Sequence, residues 1–106
     1  MWVVSFASEV AEAEVENLSS DLRASFIRIA HMIRNNGLER MREPYVKHVD
    51  GKIWEMRLKG RDGIARSLYV AKQERRVVVL RTFIKKTQTT PRREIDIALQ
   101  RAKELP

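Results

Sequence analysis

The chain has 106 residues, 43% of them hydrophobic, and its 21 Lys or Arg and 14 Asp or Glu give a formal net charge of +7. A chain of this length fits one domain, 1–106, and its apolar content fits a folded protein rather than a disordered one. Cysteine is absent, which excludes disulfides and thiolate chemistry and suits a reducing compartment.

The amino terminus and the apolar runs bear on the cellular location of the protein. No apolar run approaches the ~20 residues that a membrane span needs, so we expect no membrane association. The start, MWVVSFASEV, lacks the basic residues that begin a secretory signal and soon turns acidic. We therefore expect a cytoplasmic protein.

The first part of the chain predicts a strand followed by two helices. WVVSF, at 2–6, is rich in residues that favour strands. Ser8 is placed to cap a first helix through Leu18, and Ser19 or Ser20 to begin a second. Apolar residues recur along one face of this second helix, at Leu22, Phe26, Ile29 and Ile33. Asn36 and Gly37 are expected to end it, with Gly37 in a left-handed conformation.

The second part predicts three or four antiparallel strands and a final helix. The strands are expected at 45–49, 53–59, 64–71 and 76–86, with the GRDG sequence at 60–63 as a hairpin connection. The last strand is apolar on both faces, as in a strand covered on both sides. Thr90 is predicted to cap the final helix and Pro91 to occupy its first turn. This order of elements defines an α+β fold.

The charge is concentrated in the second part. Residues 1–39 hold three Arg and six Asp or Glu, a net of −3, whereas residues 40–106 hold 18 Lys or Arg and eight Asp or Glu, a net of +10. A basic region in a small domain favours an anionic partner, with nucleic acid first. A solvated basic surface without a partner is the alternative interpretation.

Few residues are suited to metal or cofactor chemistry. The two histidines, His31 and His48, do not share a metal-binding spacing, and there is no glycine-rich phosphate loop. We therefore expect no metal and no cofactor.

Polar residues on the predicted strands offer a different chemistry. Glu55 and Arg57 are two apart and share a face, Arg66 lies in mid-strand, and Lys85 and Lys86 close the last strand. RNA cleavage needs a base for the 2′-hydroxyl, cations for the pentacoordinate phosphate and an acid for the departing 5′-oxygen. These residues could supply such groups. Without further information, the favoured interpretation is that Glu55 and Arg57 only pair with neighbours across the sheet.

Three segments resemble the RelE superfamily of bacterial toxins, and within it the HigB-like, phage-derived branch. They are IWEMRLK at 53–59, ARSLYVA at 65–71 and VVVLRTFIKKTQTTPRREIDIA at 77–98. The resemblance covers about the last half of the chain. It implies a compact α+β domain, with strand–helix–helix followed by a small antiparallel sheet and a C-terminal helix.

The resemblance also implies a function and partners. The protein would be the toxin of a type II toxin–antitoxin system, a metal-independent endoribonuclease that cuts mRNA on the translating ribosome. Its partners would be mRNA, the ribosome and a cognate antitoxin with a helix-turn-helix DNA-binding domain. A non-catalytic nucleic-acid-binding module of the same fold, and an inactive relative that still binds an antitoxin, are the alternatives.

Site residues are carried over from the family by position. Arg57 and Arg66 match its phosphate-facing basic residues, and Lys85 and Lys86 match the basic end of its last strand. Glu55 stands where some relatives have lysine, which leaves its role as the base open, and the general acid is not evident. The further residues expected at the RNA are Lys47, His48, Lys52, Thr87, Arg92 and Arg93.

Overall fold

Five strands and three α-helices are formed within residues 1–61 and 63–106, which the computed structural model describes. They are β1 (Val3–Phe6), α1 (Glu9–Glu16), α2 (Ser20–Asn36), β2 (Val46–Asp50), β3 (Ile53–Lys59), β4 (Ile64–Lys72), β5 (Arg76–Ile84) and α3 (Arg92–Lys103). The predicted α+β fold is confirmed. Asp62, in the predicted GRDG connection, lies outside the described residues.

The strands form one mixed sheet in the order β1-β5-β4-β3-β2. The strands β2 to β5 pair antiparallel in sequence order, as predicted, and β1 pairs parallel with β5. β1 and β2 are therefore the two edge strands, and the chain segment that connects them must cross the sheet. The 17 residues of α2 span about 25 Å, which suffices to cross the roughly 19 Å between the edges of a five-stranded sheet.

Each face of the sheet is packed against a helix. On one face α2 contributes Phe26, Ile29 and Ile33 to a core with Met56 and Leu58. On the other face Ala98 of α3 packs over a smaller apolar group that comprises Ile53, Leu68, Val70, Val78 and Leu80. Residues 77–80 of β5 are all buried, as expected for a strand covered on both sides.

The helix starts confirm two predicted caps and correct a third. The Ser8 Oγ accepts a hydrogen bond from the Ala11 N–H at 3.2 Å, and Ser19 is the cap residue of α2. Gly37 ends α2 with a positive φ of 90°. The prediction for Thr90 was wrong: Pro91 holds the cap position of α3, without a side-chain hydrogen bond.

A glutamate of α1 takes the place of a neighbouring strand beside β5. The pairing between β1 and β5 extends only to Phe6 and Val79, and α1 lies alongside the continuation of β5. There the Glu14 Oε1 accepts a hydrogen bond from the backbone N–H of Thr82 at 3.1 Å. The carboxylate thus satisfies a backbone donor that an adjacent strand would otherwise bind.

The same carboxylate connects α1 with α3. It accepts hydrogen bonds from Arg81 at 2.7 Å and from Arg101 at 2.9 Å, and Arg81 also donates to Glu94 at 2.7 Å. Burial acts to raise the pKa of Glu14, but the hydrogen bonds from Arg101, Thr82 and Arg81 outweigh it and hold that pKa below its ordinary value. The ionised form of Glu14 therefore stabilises the fold.

We expect Glu14→Gln to lower the free energy of unfolding at pH 7 by at least about 2 kcal/mol, because charge-assisted hydrogen bonds are weakened. Since the folded pKa of Glu14 is lowered, its contribution is complete above the unfolded pKa and is lost as pH falls through the folded value. Urea unfolding between pH 7 and pH 3 should show a shallower acid loss in Glu14→Gln than in the parent. The exposed Glu16→Gln on the same helix is the control, and an equal acid loss in all three proteins would contradict the assignment.

Candidate functional site

Four of the predicted site residues lie on one face of the sheet, the face that α3 covers in part. Lys47 on β2 is the register partner of Glu55 on β3, and Arg57 on β3 is the partner of Arg66 on β4. Glu55 and Arg57 alternate with Met56, which packs against α2 on the opposite face. The sequence prediction that Glu55 and Arg57 share a face therefore agrees with the strand register.

Glu55 and Arg66 form a buried ion pair. Their exposed fractions are 3% and 2%, and the Arg66 Nε lies 3.5 Å from the Glu55 Oε2. The hydroxyl of Thr90 donates to the Glu55 Oε1 at 2.6 Å and accepts from the Arg66 Nη1 at 2.9 Å. The Arg66 Nη2 donates to the backbone carbonyl of Gln88 at 2.7 Å. We call these four residues the clamp.

The clamp explains why Thr90 does not cap α3. Its hydroxyl is hydrogen-bonded to two ionised side chains, and such bonds are stronger than one to a backbone N–H. The clamp fastens residues 88–90 over the sheet, so that they cover Glu55 and Arg66. A phosphate can reach those two side chains only if this segment moves.

Arg57, in contrast, is accessible. It is partly exposed, and it has no ion-pair partner among residues 1–61 and 63–106. Arg57 lies just beyond the part of β3 that pairs with β2, so α2 can approach it from the other face of the sheet. At this edge it lines an open cavity of about 340 Å³ together with Arg28 of α2, Lys59 of β3 and Tyr45. Lys47, on the neighbouring strand, is also exposed. Unpaired cations around a concave surface can bind a polyanion.

Three residues at this surface were not predicted from the sequence. Lys59 could have been predicted from the sequence, because it continues the alternation that places Glu55 and Arg57 on one face. Arg28 could not have been predicted in this way, because it lies on a helix and only the packing of α2 brings it to β3. Tyr45, which is 41% exposed, directly precedes β2, and its carbonyl accepts from the Arg57 N–H at 2.9 Å.

The two lysines predicted to close the last strand lie just beyond it. β5 ends at Ile84, and the Lys85 N–H adds one more hydrogen bond, of 2.7 Å, to the Ile64 carbonyl. Lys85 is partly exposed, and Lys86 and Thr87 are exposed. The Thr87 hydroxyl donates to the Thr89 carbonyl at 2.7 Å. The lysines therefore lie between the end of β5 and residues 88–90, which the clamp fastens.

The arginines at the start of α3 are exposed but differ in their partners. Arg92 donates to Asp50 at 2.7 Å and to Asp96 at 3.0 Å. These carboxylates compete with any phosphate for its guanidinium. Arg93 is 3.8 Å from Glu94, and its side chain is 82% exposed. Arg93 is thus the more available of the two for a phosphate.

Two predicted RNA-binding residues lie apart from the others. His48 is the register partner of Trp54, so it lies on the α2 side of the sheet, where its Nε2 is 2.7 Å from the Gly51 carbonyl. Trp54 is itself 40% exposed. Lys52 precedes Arg57 by five residues, about 16 Å along an extended strand. The structure does not bring His48 or Lys52 to the surface around Arg57.

The fold and this surface together define a small α+β protein. On an open, basic part of its sheet it has an arginine without an ion-pair partner in the part of the chain that the structure describes. Residues 13–103 match the model of one family, described as phage derived protein Gp49-like (DUF891). Because this match spans most of the sequence, the chain belongs to that family, which is a family of RelE/HigB-like toxins. No curated protein matches the chain. Among the residues that the structure describes, every helix is too short or too polar to cross a bilayer.

The clamp predicts a stability effect at Thr90. Thr90→Val keeps the shape of the side chain but leaves buried atoms of Glu55 and Arg66 without their shared partner, which should cost about 1–3 kcal/mol. Thr90→Ser keeps the hydroxyl and should lose less. Urea unfolding measures the difference, with Thr89→Val, at the exposed neighbouring position, as the control.

Amide hydrogen exchange gives a second test of the clamp. In Thr90→Val the amides of residues 85–90 should exchange faster than in the parent, while those of α2 should not change. If Thr90→Val is as stable as Thr89→Val and exchanges at the same rate, the hydroxyl does not hold the segment.

Proposed function

We propose that this protein is the toxin of a type II toxin–antitoxin system and that it cuts mRNA on the translating ribosome. Membership of a RelE/HigB-like toxin family supports a toxin role. The main support for RNA as the substrate is the environment of Arg57. This accessible arginine has no carboxylate partner in the described chain and lies near three further cations, Arg28, Lys59 and Lys47. A cognate antitoxin, with a helix-turn-helix DNA-binding domain, would neutralise it.

In this proposal Arg57 acts directly on the reacting phosphate. The 2′-oxygen of one nucleotide attacks the adjacent phosphorus, the bond to the 5′-oxygen breaks, and a 2′,3′-cyclic phosphate and a 5′-hydroxyl end are formed. The planar guanidinium of Arg57 suits two phosphate oxygens at once and stabilises the charge of the pentacoordinate state. Lys85 or Lys86 gives a proton to the departing 5′-oxygen.

The clamp residues have a supporting role in this mechanism. Glu55 and Arg66 keep residues 88–90 on the sheet and thereby position Lys85 and Lys86 relative to Arg57. Since the Glu55 carboxylate is occupied by Thr90 and Arg66, we assign the removal of the 2′-proton to a group outside the clamp. Positioning of the RNA by the ribosome would supply much of the remaining rate.

Tyr45 and Arg93 extend the contact with RNA. Tyr45 is 41% exposed beside Arg57, and an exposed aromatic ring can stack on an unpaired base. Arg93, with Lys47 and Thr87, would bind phosphates on either side of the cut. Arg92 would contribute only after releasing Asp50 or Asp96.

Substitution of Arg57 tests the proposal. Induced expression of the parent should arrest growth, and Arg57→Ala should abolish the arrest, because loss of a transition-state donor lowers the rate by about 100-fold or more. Arg57→Lys should restore only part of it, since lysine lacks the planar fork. The incorporation of labelled methionine during the first minutes measures translation directly.

The matched control is Arg34→Ala, an exposed arginine of α2. It should arrest growth as the parent does. Arg66→Ala is a poor test, because it leaves Glu55 buried without its partner and destabilises the fold. An Arg57→Ala protein that is folded, expressed and fully toxic would refute the assignment of Arg57.

A further inference from the structure

A second basic surface lies at the other end of the sheet. An open groove of about 630 Å³ runs between the last turns of α3 and the ends of β3, β4 and β5 that lie away from Arg57. Four cations border it, and none has an ion-pair partner in the described part of the chain: Lys52, Lys72, Arg76 and Lys103. The mechanism proposed for RNA cleavage uses none of these four residues.

Between these cations, part of the lining of the groove is aliphatic. It is formed by residues of β3, β4 and α3 that continue the smaller core outward: Ile53, Val70, Leu99, Ala102 and Leu105. Among the residues that the structure describes, no aromatic ring lines it. Single-stranded nucleic acid binds through basic grooves that also offer rings for base stacking. A lining of this kind suits apolar side chains better than bases.

We propose that this groove binds an acidic, amphipathic peptide segment of a partner protein. Leucine-like side chains of the segment would lie on the aliphatic lining, and its carboxylates would meet the four cations at the rim. A helix with apolar residues on one face and acidic residues beside them presents both groups at once. The complementary charges would speed association and select against basic partners.

This inference rests on the proposed function in one respect: it assigns the segment to the antitoxin. The groove and the surface around Arg57 lie at opposite ends of β3. A partner held in the groove is therefore anchored away from the reacting phosphate, and it can be bound without displacing the clamp.

Fluorescence anisotropy with a designed probe tests the binding. The probe is a fluorescein-labelled helical peptide with leucine on one face and glutamate on the flanks. A scrambled peptide of the same composition, a peptide with lysine in place of glutamate, and a labelled oligouridylate are the comparison probes. The parent protein should bind the acidic amphipathic peptide at least tenfold more tightly than any of the three, and added salt should weaken this binding.

Two sets of variants connect the binding with the groove. Lys72→Glu combined with Lys103→Glu should weaken binding of the acidic peptide at least tenfold, and Leu105→Ser should weaken it without changing the net charge. Arg34→Glu combined with Arg40→Glu makes the same charge change at exposed positions outside the groove and should bind nearly as the parent does. Thermal unfolding confirms that each variant is folded.

The outcomes separate this inference from the proposed function. Equal binding of the scrambled or lysine peptide, or equal loss in both double variants, would overturn the groove as a peptide site. Oligouridylate binding that is as tight, and is lost in Lys72→Glu/Lys103→Glu, would make it a nucleic-acid surface and would also overturn it. The Lys72→Glu/Lys103→Glu protein should still arrest growth. If the parent binds the peptide as expected but does not arrest growth, the proposed function is refuted, whereas the groove is still supported as a peptide-binding site.

Discussion

The buried ion pair between Glu55 and Arg66 is the interaction on which the organisation of the candidate site depends. Two charges removed from water are tolerated only when each is well hydrogen-bonded, and loss of one partner from such a pair costs about 3–5 kcal/mol. Here the hydroxyl of Thr90 and the carbonyl of Gln88 supply the hydrogen bonds. Among the described residues the buried Arg66 Nε has no hydrogen-bond partner, and it lies 3.5 Å from the Glu55 Oε2. Because both belong to the connection between β5 and α3, the ion pair fixes the path of that connection.

The clamp divides one face of the sheet into parts with different properties. On one side of it, α3 covers an aliphatic core. On the other side Arg57 is partly exposed, and it has no ion-pair partner among the described residues. The groove bordered by Lys72 and Lys103 lies beyond the core, at the far end of the strands. In the proposals made above, this one sheet would present one basic surface to RNA and another to a partner protein.

Local sequence patterns predicted the elements well where each element is determined by its own residues. The bounds of β3 were predicted to the residue, because strict alternation is ended by Gly60 on one side and by Asp50-Gly51 on the other. Ser8 was identified as a cap from its position before an acidic helix turn. The parallel pairing of β1 with β5 was not predicted. It joins segments some 70 residues apart, and no local sequence pattern indicates such a pairing.

The candidate site was predicted less completely, for a physical reason. Alternation shows that Glu55 and Arg57 share a face, but it does not show what covers that face. Thr90 has the position of a helix cap, and only the folded structure reveals that two buried charges use its hydroxyl instead. In the same way, the neighbours of Arg57 on α2 and before β2 are brought there by packing. The sequence therefore indicates the chemistry of the site, while tertiary structure decides which residues are accessible.

The most direct test of the central claim is primer extension on a reporter mRNA after brief induction of the protein, with and without a drug that blocks translation initiation. We expect cuts within the reading frame that disappear when ribosomes are kept off the message. Cuts that persist without ribosomes would contradict ribosome dependence. The absence of any cut, with expression of folded protein confirmed, would contradict the assignment of this chain as an mRNA endoribonuclease.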